Sequence, residues 1–156
     1  MEQEWLLIDM HTHSGASAKR KHGKNVRPMS AKEFVDTLYD YGNKIFSVTD
    51  HNSFDAKFYD ETDQYIVDNH LQMKLINGVE FDTYIDDKNF IKICIYFEDH
   101  VERTELEAIV DNLYDHDEKP RFDKILNCLA SLNCKLIVIP HGDKQGKRRV
   151  NANHDK

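Results

Sequence analysis

The chain has no long apolar run. Nothing in its 156 residues approaches the roughly 18 consecutive apolar positions that cross a bilayer, and Met1-Glu2-Gln3-Glu4 is not how a secretory leader begins. Cysteine is scarce: Cys94, Cys128 and Cys134 sit in apolar contexts, with no C-x-x-C spacing. An odd count and no leader point to reduced packing thiols in a cytoplasmic protein, not to a disulfide framework. There is no internal repeat, low-complexity tract or linker. The expectation is one domain over residues 1–150 with a disordered tail at 151–156.

Acid is missing from one stretch. The chain carries 28 acidic residues against 21 basic ones, a formal charge of -7, yet Met10 to Lys32 contains no Asp or Glu. That stretch holds Lys19, Arg20, Lys21, Lys24 and Arg27, and a second basic cluster, Lys144, Lys147, Arg148 and Arg149, lies near the end. A run of like charge is usually just a solvated loop. Here each cluster follows an apolar run that ends in histidine, which favours an anionic substrate held by Lys19, Arg20, Lys144, Lys147 and Arg148.

What is present alternates in period. Apolar strands are expected at Trp5 to Met10, Ile45 to Thr49, Leu75 to Glu80, Phe90 to Phe97 and Leu136 to Ile139. Between them lie amphipathic helical patterns. One opens on the capping box Ser30-Ala31-Lys32-Glu33 and carries Phe34, Val35, Leu38 and Tyr41. A second is capped by Ser53, a third opens on Thr104 to Glu107, and a fourth has Pro120 at its start and Phe122, Ile125, Leu126 and Leu129 on one face. Asp86 to Asn89 reads as a turn. Such alternation predicts a parallel sheet or barrel covered by helices, with functional groups at the C-terminal strand ends.

Those ends carry the chemistry. His11 and His13, two apart at a strand end, point the same way and can share a metal ion, with Asp9 placed to orient a ring. The next ends supply Asp50 and His51, then Glu80, then His141. Imidazoles and a carboxylate converging on one rim make a metal site, and zinc, manganese and iron all suit that donor set. His70, His100 and His116 lie among charges and are expected at the surface. His22 is a weaker candidate ligand, and His154 belongs to the tail.

Asp9-Met10-His11-Thr12-His13, Thr49-Asp50-His51-Asn52, Gly78-Val79-Glu80 and Ile139-Pro140-His141 together resemble the signatures of the polymerase and histidinol phosphatase (PHP) superfamily, in order and over about Trp5 to Arg149. The resemblance implies a distorted (β/α)7 barrel with two or three divalent ions (Zn, Mn or Fe) at its rim. His11 and His13 would bind one ion, Glu80 would bridge it to a second bound by His141, and His51 would bind a third. Asp9, Asp50, Glu80 and His141 would stand closest to the reaction, metal-dependent hydrolysis of a phosphate ester by activated water. The enzyme would be a phosphatase or a nuclease acting on nucleic acid.

Two departures shape the expectation. Lys92 stands where many relatives have histidine, and nothing after His141 matches the family's final Asp-x-His. The expected barrel is therefore incomplete at its C-terminus, to be completed by self-association as a homo-oligomer or by further polypeptide. The alternative reading is a catalytically impaired metal- and partner-binding module, or the N-terminal part of a larger AAA/SMC-like ATPase.

Overall fold

The computed structural model describes residues 5–20, 27–116 and 119–141. The first helix, α1 (Ala31–Asp40), begins on the expected capping box: Ser30 Oγ accepts from the Glu33 amide, and the Glu33 carboxylate accepts from the Ser30 amide. Tyr41 is not part of its buried face; it caps the C-terminus and is 75% exposed. Helix α2 (Ala56–Asp68) is capped by Asp55, which accepts from the Phe58 amide, and not by Ser53. Helices α3 (Arg103–His116) and α4 (Phe122–Leu129) follow in the second half of the chain.

Strands β1 (Leu7–Thr12), β2 (Asn43–Val48), β3 (Lys74–Tyr84), β4 (Phe90–Phe97) and β5 (Leu136–His141) form one sheet in that spatial order. β1, β2 and β3 are parallel and joined through α1 and α2. The (β/α)7 barrel expectation fails at the next connection. β3 does not end at Glu80; it runs on to Tyr84 and turns back through Asp86, whose carboxylate accepts from the Lys88 and Asn89 amides. A parallel return needs a crossover of a dozen or more residues, and this link is far shorter. β4 is therefore antiparallel to β3, and β5 is antiparallel to β4. The molecule is a small α/β domain on a five-stranded mixed sheet, not an (β/α)7 barrel.

Alternation along the strands gives the sheet two different faces. Phe46, Val48, Leu75, Val79, Phe81, Ile93, Ile95 and Phe97 pack into one apolar core with Val35, Leu106, Val110, Ile125 and Leu129 from the helices. The residues between them (Gly78, Glu80, Asp82, Lys92, Cys94, Tyr96 and His141) fall on the other face. Glycine is required at position 78, because a Cβ there would collide with Ser47 Oγ and press on Thr49 and Tyr96. The Tyr59 hydroxyl of α2, fully buried, reaches between β2 and β3, accepting from the Gly78 amide at 3.0 Å and donating to the Val48 carbonyl. No helix among the described residues is long and apolar enough to cross a membrane.

Candidate metal centre

The antiparallel strand β4 enters the sheet from the rim where the parallel strands end. Cross-strand register therefore sets Glu80 beside Cys94 and aligns Asp82, Lys92 and His141 in one row across β3, β4 and β5. Beyond β2 the chain keeps contact with β3: the Asn52 amide donates to the Glu80 carbonyl and the Glu80 amide to the Asp50 carbonyl. Asn52 has φ 51°, a left-handed conformation that Asn tolerates better than most residues. Its side chain pairs with Asp82 twice, accepting from the Asp82 amide at 2.7 Å and donating to Oδ2 at 3.1 Å. β1 meets β2 with register shifts near Leu7 and again between Asp9 and Thr12, so the strand is irregular where its histidines begin.

Five candidate residues converge. The ring of His11 lies 4.8 Å from that of His13 and 4.5 Å from that of His141, and His13 stacks on His51 at 4.6 Å. Ligating atoms of His11, Glu80 and His141 fall within 4.8 Å of one another, as do those of His13, His51 and Glu80. Two triads thus share one carboxylate. They divide His11 from His13, a grouping different from the one the family resemblance implies.

Glu80 is the hinge of the arrangement. It is 1% exposed, and burial by itself disfavours its charged form. Nitrogen atoms nonetheless crowd it: His51 Nδ1 at 2.7 Å and His13 Nε2 at 3.8 Å from Oε2, Lys92 Nζ at 3.3 Å and His141 Nδ1 at 3.6 Å from Oε1. A buried carboxylate ringed by imidazole nitrogens at these distances suits ligands arranged around a cation. His141 Nδ1 is buried too, and has no hydrogen bond among the described residues. These His/Glu clusters fit a divalent ion, and their nitrogen and oxygen donors suit a borderline metal.

Neighbouring side chains hold the rings. Thr49 Oγ1 lies 2.6 Å from His11 Nδ1, so Nε2 is the nitrogen that would be left to meet an ion. Ser17 Oγ lies 3.2 Å from His13 Nδ1 and donates to Asp50 at 2.6 Å. Asp50 also accepts from the amide and hydroxyl of Ser14. Burial outweighs these bonds and raises the Asp50 carboxyl above its ordinary range. Asp9 accepts from the His11 backbone amide at 3.2 Å and so braces the strand at His11.

The electrostatics favour the neutral form of His11 and His13 and the charged form of Glu80. Burial, then the neighbouring His51 and His11, hold His13 down to about 4, and burial lowers His11 as well. For Glu80 burial pushes upward, but His51, Lys92 and His11 outweigh it and hold the carboxyl at about 2. Neutral imidazole and ionised carboxylate are the protonation states a metal requires. Cys94, whose Sγ is 3.5 Å from His11 Nδ1, is pushed up to about 11 by burial and by Glu80, and remains a thiol.

Other sequence candidates lie elsewhere. His70, His100 and His116 are exposed, His100 facing Glu98 at 3.6 Å. Lys19 and Arg20 fall on the short 3-10 helix Gly15–Arg20, and Arg27 lies 4.0 Å from Glu33. Lys21, Lys24, His22, Lys144, Lys147, Arg148, Arg149 and His154 lie outside the described residues. Sequence reasoning did not single out Ser17, Asn52 or Asp82 as neighbours of the centre. Of these, Asp82 had a readable signal, since it is two residues from Glu80 on a strand and so shares its face.

Neither a family model nor a curated protein sequence matches the chain. Among solved structures the chain is similar to that of a Bifidobacterium adolescentis protein assigned as a metal-dependent phosphoesterase, with a TM-score of 0.49 and 13% sequence identity. The match covers 73% of this chain and 35% of that one, so the chain spans about a third of that protein's length.

Proposed function

We propose that the chain is a metal-dependent phosphoesterase domain that hydrolyses a phosphate ester. The observation that carries this reading is the pair of His/Glu triads sharing the buried Glu80 carboxylate. A carboxylate shared between two adjacent cation sites suits phosphoryl transfer, where charge must be neutralised on both attacking and leaving oxygens. Divalent ions of zinc, manganese or iron would supply Lewis-acid activation of water and neutralisation of phosphoryl charge.

The chain's own residues hold and orient. His11, Glu80 and His141 form one binding triad, and His13, His51 and Glu80 the other. Thr49 and Ser17 set the ring orientations, Asp50 anchors Ser17 and Ser14, and Asp9 fixes the backbone at His11. Lys19, Arg20, Lys144, Lys147 and Arg148 are assigned to the substrate's phosphates, a basic set suited to a nucleic acid or another polyanion. One domain over 1–150 in the cytoplasm completes the reading.

The test is turnover of p-nitrophenyl phosphate and bis-p-nitrophenyl phosphate by the purified chain with Zn2+, Mn2+ or Fe2+. Hydrolysis that a chelator abolishes and Glu80→Gln removes is the expected result. A second reading, a binding module without turnover, is favoured by the ammonium of Lys92 inside the centre. Full metal loading with no hydrolysis of either ester would decide for it.

A further inference from the structure

Lys92 reaches the centre because β4 runs against its neighbours and so brings its N-terminal half to the rim. Its Nζ lies 3.3 Å from Glu80 Oε1, 3.6 Å from Asp82 Oδ1 and 3.3 Å from His51 Nδ1. Two carboxylates and an imidazole nitrogen around one point are donors of the kind a divalent cation takes, set wider around the ammonium than those of the two triads, whose ligating atoms all lie within 4.8 Å of one another. Asp82 is built to face that point. Its side chain is buried, its amide and Oδ2 are both tied to the Asn52 side chain, and Oδ1 is turned toward Lys92. Neither His/Glu triad includes Asp82.

We infer that this corner is a third cation site that the protein fills with its own ammonium. Lys92 holds Asp82 out of metal ligation and limits the centre to the two ions of the triads. The inference rests on the metal-centre reading above. A tethered ammonium differs from an ion in one useful way: it cannot be lost to a chelator. It keeps positive charge beside Glu80 even when the triads are empty. Removing the ammonium while leaving both carboxylates should open the corner to a metal.

Equilibrium dialysis against Mn2+, with elemental analysis of the dialysed protein, counts the ions directly and needs no activity. The wild-type chain is expected to hold two ions and Lys92→Ala three, the third disappearing again in the double variant Lys92→Ala/Asp82→Asn. A wild-type chain with three ions, or a Lys92→Ala chain with two at unchanged affinity, overturns the inference and leaves the metal-centre reading standing. Absence of any bound ion in both proteins overturns the metal-centre reading itself. Asp82→Asn in the otherwise wild-type chain keeps the test independent of how Lys92→Ala folds. It should retain two ions with affinities within about threefold, well short of the tenfold or more expected when a group supporting a metal is removed. Loss of an ion in that variant makes Asp82 a ligand and refutes the assignment.

Discussion

The two faces of the sheet are made from the same strands, one residue apart, and obey opposite rules. On the helix-covered face Phe81 is fully buried among apolar side chains and every neighbour adds to the packing. On the other face Glu80, equally buried, sits among nitrogens, with His51 Nδ1 at 2.7 Å and Lys92 Nζ at 3.3 Å. One face is closed by apolar packing, and the other gathers imidazoles, carboxylates and an ammonium around one point. Burying a carboxylate is costly unless other groups compensate it, so the ring of nitrogens around Glu80 is informative in a way that burial alone is not.

Substitutions one residue apart should separate the faces. Glu80→Gln is expected to have the largest effect, abolishing binding of both ions in equilibrium dialysis, since both triads depend on that carboxylate. Phe81→Ala should instead cost about 3–5 kcal/mol in urea unfolding, as deletion of a buried aromatic ring does, while the molecules that remain folded keep their metal. A protein in which Phe81→Ala lost metal as completely as Glu80→Gln would erase the distinction.

The pH dependence of the metal-free protein sharpens it further. The His13 imidazole is held at about 4 against an ordinary 6.5, first by burial. Between those values the unfolded chain takes a proton that the folded chain refuses. Stability should therefore fall as pH drops from 6.5 to 4, by on the order of 3 kcal/mol, and this contribution then levels off. Glu80 acts in the same direction but lower, its contribution present above 4.5 and lost as pH falls toward 2. Urea titrations across that range should show the slope, and His13→Asn should flatten its upper part. The smallest effect belongs to Thr49→Val. It removes the 2.6 Å contact to His11 Nδ1 and should weaken one ion about tenfold in a chelator competition, with little change in unfolding.

Much of this was legible in the sequence because it is local. The Ser30 capping box, the apolar strand runs and the histidines at strand ends all follow from short-range periodicity. The direction of β4 was legible too, since the turn at Asp86 to Asn89 is too short to return a parallel strand; the expectation of a barrel overrode it. The direction of β5 was not, because α3 and α4 intervene and either orientation would satisfy the pattern. Ser53 and Asp55 are both good caps, and only the geometry of the turn chose Asp55. The pairing of Asn52 with Asp82 joins residues 30 positions apart, and no spacing rule reaches that far. Lys92 reads as a lost histidine in the sequence, and only the fold sets it between two carboxylates.

The Tyr59 hydroxyl between β2 and β3 has a consequence for how the molecule breathes. The Gly78 amide gives its hydrogen to a side chain of α2, so its exchange with solvent deuterium reports whether that helix is seated. If α2 lifts as a unit, Gly78 should exchange together with the amides of Phe58 and Thr62 and ahead of Phe81 and Ile95 in the middle of the sheet. A single glycine, two residues from Glu80, would then act as a timer for loosening of the metal centre from behind.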